Sequence, residues 1–593
     1  MDPAKPDIIK IRKTIRKRIH DLIFAENTIL ITLSIIIGFL AGLGAWAFLE
    51  LINIFRLSWS PWGGYTGFIP GDISSILIPL IPALGGLLLG PLGAIFPTEA
   101  KGHGVPEVME SVVRQGGVLK PRTIFIRGIA SAITIGTGGS AGREGPIAQI
   151  GAAIGSWVAQ VFKMPSNNVR ILLGCGAAGG IAAAFNAPIA GVLFALEIVL
   201  GDWHITTFTP VIMSSVIATT TSRWLHGGKA IFDVPYYQLV NPVEIVFYII
   251  LGLLSGLVAL LFIHSMDKFE HFFEKKVPIH PWLKPALGGL LVGFIGLGFP
   301  QIFSNGYEPM GKALMGEMVL WLMFSLVFLK IIATSLTLGS GGSGGIFAPA
   351  LYIGAMLGGA FGTIINMLFP LMTAKPGAYA LVGMGAVLAA AAHAPLTNIL
   401  LLFELTGDYH IILPIMVACI MSTLTIRALS PHSIFSIGLH KKGITIEAGK
   451  EVNVLQSLKV KDAMTTKNLE FLPEDMPFGE ILRHITLSNH SNFPMINKEG
   501  HLAGVISFQE IRKHVFDPDL EQLVVARDLA ILSMPTVTPS DNLKDALSRI
   551  AFGNIKQLPV VDTKDPNKLV GILTRSDIIT AYNRAISRYE DNG

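Results

Sequence analysis

Cysteine and charge are both scarce in this sequence. It has 2 cysteines in 593 residues, Cys175 and Cys419, and both lie in apolar segments. Such a pair suggests neither a disulfide framework nor a metal site, and we interpret both as small packing residues. Asp, Glu, Lys and Arg together make up 15% of the chain, against about 25% in a typical soluble domain. The composition therefore argues against a soluble protein.

Apolar sequence is abundant instead. Hydrophobic residues form 51% of the chain, and the mean hydropathy is +0.57. The 63 glycines suit close contact between packed helices. Several apolar stretches are shorter than the roughly 20 residues that a straight membrane span needs, so we expect tilted and incomplete helices. The stretches are 28–52, 75–97, 207–221, 243–264, 284–300, 320–338, 378–392 and 411–429.

Two segments of the apolar region resemble two later ones. GSAGREGPIAQIG at 139–151 corresponds to GSGGIFAPALYIG at 342–354, which begins 203 positions later. At a similar offset, AAFNAPIAGVLFALE at 183–197 corresponds to AAHAPLTNILLLFELT at 391–406. Apolar halves with Gly/Pro-interrupted segments at equivalent places are typical of transporters built from repeats, whose binding site lies where the broken segments meet.

The repeat predicts the organisation of the membrane part. We expect an all-helical membrane domain over 28–442, with inverted halves near 30–200 and 243–430. Residues 1–27 form a basic segment ahead of the first apolar stretch, and by the positive-inside rule this segment is cytoplasmic. A nucleic-acid-binding arm is the alternative for such a run, but the position next to a span favours a membrane anchor. The expected location is the plasma (inner) membrane, with both termini in the cytoplasm and no nucleic-acid partner.

The composition becomes polar and mixed near residue 440. After a linker at 443–457, strand-length apolar runs alternate with amphipathic helices in two similar units, at 458–520 and 524–586. LAGVIS in the first unit corresponds to LVGILT in the second, and FPMIN corresponds to LPVVD. This pattern predicts a small cytoplasmic α/β unit made twice.

The two units resemble a tandem pair of CBS domains. In that family, the hydroxyl and the carboxylate of the last motif often hold the phosphate and ribose of an adenine nucleotide. The matching positions are Thr574 and Asp577 in the second unit and Ser507 and Glu510 in the first. The resemblance thus implies a possible ATP, ADP or AMP site, with no cofactor required for transport. Asp577 is equally an ordinary carboxylate at a helix N-terminus, and both interpretations stay open.

Each repeated membrane segment places glycines and a proline beside an apolar helix. Such a sequence ends one helix, exposes backbone N–H groups and starts another helix. Exposed donors are tolerated within a membrane only where they face a cavity or a ligand. Several helix N-termini that converge in this way combine partial positive charge with free donors, which is an anion site.

At this point the motifs resemble one family closely. GHGVPE (102–107), GREGP (142–146) and GGIFAP (344–349) are similar to the anion-binding signatures of the CLC chloride channels and chloride/proton exchangers. The likeness covers essentially the whole chain and implies a homodimer with one anion path per subunit. The anion-binding positions that it implies are Gly102, His103, Gly104, Val105, Arg143, Glu144, Gly145, Gly345, Ile346, Phe347, Ala348 and Phe435.

Within GREGP, the resemblance implies that Glu144 is the external gate. A carboxylate among amide donors mimics an anion and can occupy its site, so that protonation releases the carboxylate and opens the path. The alternative is a loop glutamate that pairs with Arg143. Carboxylates inside a membrane are costly and are usually functional, which favours the gate.

Three positions depart from the family pattern. His103 replaces the usual Ser, so the anion selectivity is open: the imidazole either donates to the anion or points away. Phe435 replaces the usual Tyr, so this ring can gate sterically but cannot donate to the anion. Ile198 replaces the second glutamate that relays protons in exchangers, which favours passive chloride conduction over anion/proton antiport.

Two other functional classes are weaker. A CBS-regulated cation transporter needs acidic clusters in the membrane, and we expect the spans to lack them apart from Glu144, Glu197 and Glu404. A membrane-bound enzyme needs a metal-ligand set or a nucleophile with its base, and the spans show neither pattern. We therefore expect a transport protein rather than an enzyme, with chloride or a similar anion, the lipid bilayer and a second copy of the chain as its partners.

Overall fold

Apolar helices separated by Gly/Pro-rich breaks form the first of two compact units in the computed structural model. The units are Met1–Ile444 and Thr445–Gly593, and each is described by itself. The structure describes residues 5–591 apart from 60–77, 229–231, 233, 236, 238, 442–454, 456–457, 467–468, 489–491, 508–510, 512–522, 533 and 553–556.

The described part of the first unit is helical. The first half contains α1 (Lys5–Trp59), α2 (Leu80–Ile95), α3 (Pro97–Ala100), α4 (Val105–Arg114), α5 (Thr123–Gly136), α6 (Glu144–Val161), α7 (Ser166–Phe185), α8 (Pro188–Leu193), a π-helical segment (Phe194–Leu200) and α9 (Ile205–His226). The second half contains α10 (Glu244–Lys275), α11 (Lys284–Gly298), a 3-10 turn (Pro300–Ile302), α12 (Tyr307–Leu314), α13 (Leu320–Gly339), α14 (Phe347–Leu368), α15 (Pro376–Ala392), α16 (Pro395–Thr406), α17 (Ile412–Leu429) and α18 (Ile437–Lys441).

The helices differ widely in length, as the interrupted apolar pattern predicts. By length and composition, 6 helices among the described residues can cross a membrane: Thr28–Leu57, Ser166–Phe185, Glu244–Lys275, Leu320–Gly339, Phe347–Leu368 and Ile412–Leu429. Others, such as Leu80–Ile95 and Pro395–Thr406, are apolar but shorter. The apolar stretches picked out in the sequence include neither α7 nor α14. Both helices are rich in glycine and alanine, which lowers their contrast with the surrounding sequence.

Corresponding helices of the two halves pack in the same way, through glycine. A Cβ at Gly38 of α1 would lie 2.4 Å from the carbonyl oxygen of Ser214 on α9. A Cβ at Gly252 of α10 would lie 2.8 Å from the carbonyl oxygen of Ala418 on α17. α9 is thus the counterpart of α17, and the bounds of the two halves near 30–200 and 243–430 stay a prediction.

The innermost helices of each half also meet backbone to backbone. A Cβ at Gly151 of α6 would lie 2.1 Å from the carbonyl oxygen of Gly176 on α7. At the equivalent place, a Cβ at Gly354 of α14 would lie 2.2 Å from the carbonyl oxygen of Gly383 on α15. These close approaches bury α7 on almost every face and bring the N-termini of α6 and α14 into the centre of the unit.

One buried carboxylate in the spans was not expected. Glu244, at the start of α10, is fully buried and accepts hydrogen bonds from the amides of Val240 (3.0 Å) and Ala374 (2.7 Å). It also accepts from the hydroxyls of Tyr248 (3.2 Å) and Tyr379 (2.8 Å). The expectation that Glu144, Glu197 and Glu404 are the acidic groups of the spans is therefore wrong. With four donors, however, Glu244 has the environment of a structural group rather than of a cation ligand.

The second unit contains two similar β-hairpins with helices. Its elements are β1 (Leu472–Pro473), α19 (Phe478–Leu487), β2 (Asn492–Ile496), β3 (Leu502–Ser507), α20 (Ala526–Leu529), α21 (Leu543–Phe552), β4 (Gln557–Val561), β5 (Leu569–Thr574) and α22 (Arg575–Asp591). β1 pairs with β2 in parallel, and β2 pairs with β3 and β4 with β5 in antiparallel fashion. Pro494 lies opposite Val505 in one hairpin, and Pro559 lies opposite Ile572 in the other, so the registers are equivalent.

The segment before each hairpin packs against the other hairpin: VKDAM (460–464), the first motif, contacts the second hairpin, and ARDLA (526–530), the second motif, contacts the first. Thr465, which follows the first motif, exchanges backbone hydrogen bonds of 2.9 and 3.0 Å with Ile572 of β5. Ile531, which follows the second motif, exchanges bonds of 3.0 and 3.2 Å with Val505 of β3. Val460 accordingly packs into the core of the second hairpin, and Ala526 packs into that of the first. Each hairpin therefore completes its core with the segment that precedes the other hairpin.

Candidate functional site

The three signature segments meet through their backbones. The amide of Gly142 donates to the carbonyl of Gly345 at 2.7 Å, and the amide of Gly345 donates back to the carbonyl of Gly142 at 2.6 Å. The carbonyl of Gly102 accepts from the amide of Gly344 at 3.4 Å. The two repeats and the first signature thus come together as the motifs predict.

Side chains are excluded where these segments touch. A Cβ at Gly145 would lie 2.3 Å from the carbonyl oxygen of His103 and 2.9 Å from the Cα of Gly345. A Cβ at Gly104 would lie 2.7 Å from the carbonyl oxygen of Gly145. Gly104 also has a φ of 90°, a conformation that favours glycine. The glycines are therefore required so that backbone groups can line the site.

Three helix N-termini point into this junction. α4 begins at Val105, α6 at Glu144 and α14 at Phe347. Their N-cap residues are Gly104, Arg143 and Ile346, and none of these caps its helix with a side-chain hydrogen bond. Amides of the first turns are therefore left for another acceptor, and the helix dipoles favour a negative one.

The Glu144 carboxylate lies beside the N-terminus of α14, the corresponding helix of the second repeat. It is fully buried, and its Oε2 accepts from the amide of Ala348 at 3.3 Å. Its Oε1 accepts from the hydroxyl of Tyr307 at 2.5 Å and lies 3.8 Å from Nε of Arg143. The carboxylate therefore lies among the donors at the start of α14, and Arg143 is a neighbour rather than its main partner.

Aromatic rings form a wall beside this junction. Phe347 packs edge-on against Phe194 with ring centroids 5.5 Å apart, and it stacks on Phe435 at 5.7 Å. Phe435 is buried, and the preceding residue is tied to α15 by a bond from the Ile434 amide to the Ala391 carbonyl (2.9 Å). The structure thus places the sequence-predicted Phe347 and Phe435 together and adds Phe194, which the motifs did not indicate.

The paired glutamates of the second repeat motif cap helices of the opposite half. Glu197 accepts from the amide (2.7 Å) and the hydroxyl (2.6 Å) of Thr397 at the start of α16. Glu404 accepts from the amides of Ile189 (3.0 Å) and Ala190 (2.7 Å) at the start of α8. The N-termini of α8 and α16 are thus already occupied by carboxylates.

Arg127 is a site residue that the motifs did not indicate. Its guanidinium is fully buried and donates to the carbonyl of Gly102 (3.0 Å) and the hydroxyl of Ser343 (3.2 Å). It also lies 3.6 Å from Oε1 of Glu107. This side chain joins the first signature to the third and adds positive charge beside the junction. A lone arginine in the apolar sequence TIFIRGIASAITIG was the available signal.

Two cavities flank the junction. The first, which we call the His103 cavity, has a volume of about 680 Å³ and is lined by His103, Glu107 and Gln149. Within the described part of the chain, His103 Nδ1, Glu107 Oε2 and Gln149 Oε1 are buried without a hydrogen-bond partner. The second, which we call the Tyr307 cavity, has a volume of about 1030 Å³, and its lining includes Arg143 and Tyr307. The site therefore lies between two spaces large enough to admit water and small ions.

The candidate nucleotide residues in the second unit bond to each other. Asp577 Oδ2 accepts from the amide (2.9 Å) and the hydroxyl (2.6 Å) of Thr574, and Thr574 Oγ1 accepts from the Asp577 amide (3.1 Å). This is the arrangement of a helix N-terminal cap, the alternative considered above. Ser507 ends β3, whereas Glu510 lies outside the described residues.

Family comparisons match both units. The sequence model of the voltage gated chloride channel family matches residues 85–427, which is more than half of the chain. The sequence model of the CBS domain matches residues 460–517 and 526–584. Both resemblances noted in the sequence are therefore confirmed.

Individual relatives agree with these matches. A protein of Ralstonia nicotianae, named as a ClcB-like chloride channel protein, is 37% identical over 365 residues, or 61% of this chain and 85% of the relative. The H(+)/Cl(-) exchange transporter ClcA of Vibrio cholerae is 32% identical over 418 residues, or 69% of this chain and 88% of the relative. The crystal structure of a slow cyanobacterial Cl-/H+ antiporter has a TM-score of 0.63 at 28% identity and covers 70% of this chain and 97% of its own. The predicted fold class, a multi-span helical membrane protein with a tandem CBS pair, is confirmed.

Proposed function

Because the chain belongs to the voltage gated chloride channel family and is a CLC-type chloride transport protein, we propose that it conducts chloride and similar small anions passively, through a path gated by Glu144. The observation that supports the gate is the position of the carboxylate. The carboxylate is buried beside the start of α14 and accepts a hydrogen bond from the Ala348 amide. In its absence, that amide is free to donate to an anion. Protonation removes the charge that holds it there and frees the amides for chloride.

Replacing Glu144 with Gln tests the gate. A neutral side chain mimics the protonated acid and competes less well with an anion, so chloride flux in Glu144→Gln liposomes is expected to be high and independent of pH. Glu308→Gln, an exposed carboxylate beside the Tyr307 cavity, is the matched control and should keep the wild-type pH profile. A Glu144→Gln variant that conducts like the wild type at both high and low pH would contradict the gate.

Passive conduction is supported by the second repeat motif. Ile198 is a buried apolar side chain in the π-helical segment, so it supplies no proton acceptor. The neighbouring Glu197 bonds through both oxygens to α16, with the Leu396 amide at 3.2 Å and the Thr397 amide at 2.7 Å. A carboxylate held in this way is a poor proton relay, because protonation would break its bonds to the helix.

Anion/proton antiport is the second candidate, and one observation favours it. The His103 cavity contains an imidazole and a carboxylate, His103 and Glu107, with buried atoms that have no partner among the described residues. Such a pair can exchange protons and can substitute for the missing group at Ile198.

Liposomes with a chloride gradient and an internal pH indicator separate the two candidates. We expect chloride flux with no linked proton movement. Proton accumulation against a gradient, driven by chloride, would contradict passive conduction and support the antiporter.

We also propose a homodimer with one anion path in each subunit, in the plasma (inner) membrane with both termini cytoplasmic. The family resemblance supports the dimer, and the basic N-terminal segment supports the orientation. A single shared pore on the dimer axis would contradict this assembly.

For the CBS pair we propose an adenine-nucleotide site that uses Thr574 and Asp577 and modulates transport.

A further inference from the structure

Tyr307 makes the shortest contact to the gate carboxylate. Its hydroxyl lies 2.5 Å from Oε1 of Glu144, whereas the Ala348 amide lies 3.3 Å from Oε2. A phenol bonded to a carboxylate is the donor, and hydrogen bonds to ionised acceptors are stronger than those between neutral groups. The Tyr307 hydroxyl therefore stabilises the ionised form of Glu144 in this position more than the protonated form.

The Tyr307 ring is held on two sides. The guanidinium of Arg143 lies over it, with Cζ 4.8 Å from the ring centroid. The ring of Phe232, from the connection between the two halves, packs against it with centroids 5.5 Å apart. These contacts do not involve the hydroxyl, so removal of the oxygen alone leaves the packing of the ring in place.

Buried contacts hold the turn that precedes Tyr307. Lys330 of α13 is fully buried and donates to the carbonyls of Ile302 (2.8 Å) and Ser304 (2.9 Å). Gly306, just before Tyr307, has a φ of 77°, and a Cβ there would lie 2.5 Å from the ring of Tyr352. Lys330 and Gly306 thus fix the start of α12, so that the hydroxyl meets Glu144 at a defined place.

We propose that Tyr307 is a positioning residue that latches the ionised Glu144 carboxylate in the anion site and so sets the pH at which the path opens. The proposal rests on Glu144 being the gate. While the carboxylate is charged, the latch holds it at the start of α14. Once the carboxylate is protonated, the latch weakens and the side chain can leave.

The effect of Tyr307 on the pH profile must be distinguished from the effects of the charged groups nearby. Arg143 lies over the Tyr307 ring, and Lys330 holds the preceding turn through the carbonyls of Ile302 and Ser304. The remaining charged groups that line the Tyr307 cavity are Arg56, Arg223, Glu308, Lys312 and Glu317, and no histidine lines it among the described residues. Because Glu308 and Glu317 are carboxylates as well, the test includes a background without Glu144.

The test is Tyr307→Phe, which removes only the hydroxyl. Loss of a hydrogen bond to a charged group corresponds to on the order of a tenfold change in the closed-to-open equilibrium. We expect the pH of half-maximal chloride flux in liposomes to move upward by about one unit, with higher flux at neutral pH. Tyr352→Phe is the matched control, because this buried tyrosine has no hydrogen-bond partner for its hydroxyl among the described residues. Its profile should equal that of the wild type.

The double variant Tyr307→Phe/Glu144→Gln distinguishes the latch from the gate. If Glu144 gates and Tyr307 acts through it, the double variant has the same flat profile as Glu144→Gln alone. A wild-type profile in Tyr307→Phe, beside a flat one in Glu144→Gln, overturns the latch and leaves the gate standing. A pH-dependent profile in Glu144→Gln overturns the gate itself.

Chloride binding gives a second readout that does not depend on transport. The latched carboxylate competes with chloride, so calorimetric titration of the purified variant with chloride should show tighter binding in Tyr307→Phe, on the order of tenfold at neutral pH. Tyr352→Phe should bind as the wild type does. Unchanged affinity in Tyr307→Phe would overturn the latch.

Discussion

At the scale of the residue, this site depends on positions that have no side chain. A methyl group at Gly145 would lie 2.3 Å from the carbonyl oxygen of His103 and would push the first two signatures apart. Overpacking of this kind costs about 1–3 kcal/mol and displaces backbone. We expect Gly145→Ala to lower chloride flux in liposomes by about tenfold or more, since the amides must stay aligned on the anion.

A glycine of α12 provides the control for this substitution. A Cβ at Gly311 would meet nothing within 4 Å, so Gly311→Ala should leave flux and folding unchanged. Wild-type flux in Gly145→Ala would show that the first two signatures need not touch.

The residues that sequence could and could not predict differ in how far apart their partners lie. Glu144 was identified because its motif is contiguous. The contact between Tyr307 and Glu144 joins residues 163 positions apart, and no local pattern marks the tyrosine. Lys330, like Arg127, is a lone cation in an apolar run, but its partners are backbone carbonyls, which no side-chain pattern marks.

At the scale of the element, the two halves are joined by exchanged caps. Glu404 occupies the N-terminus of α8, and Glu197 occupies that of α16. We expect Glu404→Gln to destabilise the membrane unit by about 1 kcal/mol, since an amide keeps one acceptor but loses the charge that complements the helix dipole. A lower Tm of the purified protein in detergent would register this loss.

Glu308→Gln is again the appropriate reference. Its carboxylate is exposed and pairs with Lys312 on the same helix, an interaction that contributes little. An equal Tm in Glu404→Gln and Glu308→Gln would contradict the capping role.

Elements were predictable where their pattern was strong. The runs LAGVIS and LVGILT coincide with β3 and β5, because short continuous apolar runs between polar turns are typical of strands. The equivalence of α9 and α17 escaped notice, because each helix contains a single matching proline, Pro210 or Pro414, without the adjacent glycines of the other motifs. Their relation depends on glycines in their packing partners, α1 and α10.

At the scale of the whole molecule, the CBS pair can couple nucleotide binding to transport only if its nucleotide site is free. Thr574 and Asp577 already satisfy each other, so a nucleotide must replace those bonds. We expect calorimetric titration with ATP, ADP and AMP to show binding of at least one nucleotide, weakened about tenfold in Asp577→Ala by loss of the carboxylate acceptor. No heat with any of the three, or unchanged affinity in the variant, would leave the pair with a structural role.

The exchange of motifs between the two hairpins has a consequence for biosynthesis. Thr465 leaves the ribosome long before Ile572, its partner in β5, has been made. At about 5–20 residues per second, the first motif waits several seconds or more with its apolar side chains uncovered. The core of the first hairpin is complete once Ala526 has been made, whereas the first motif must wait for the second hairpin. A chain terminated before β5 would leave the first motif without its partner strand, and would present that motif to chaperones and proteases.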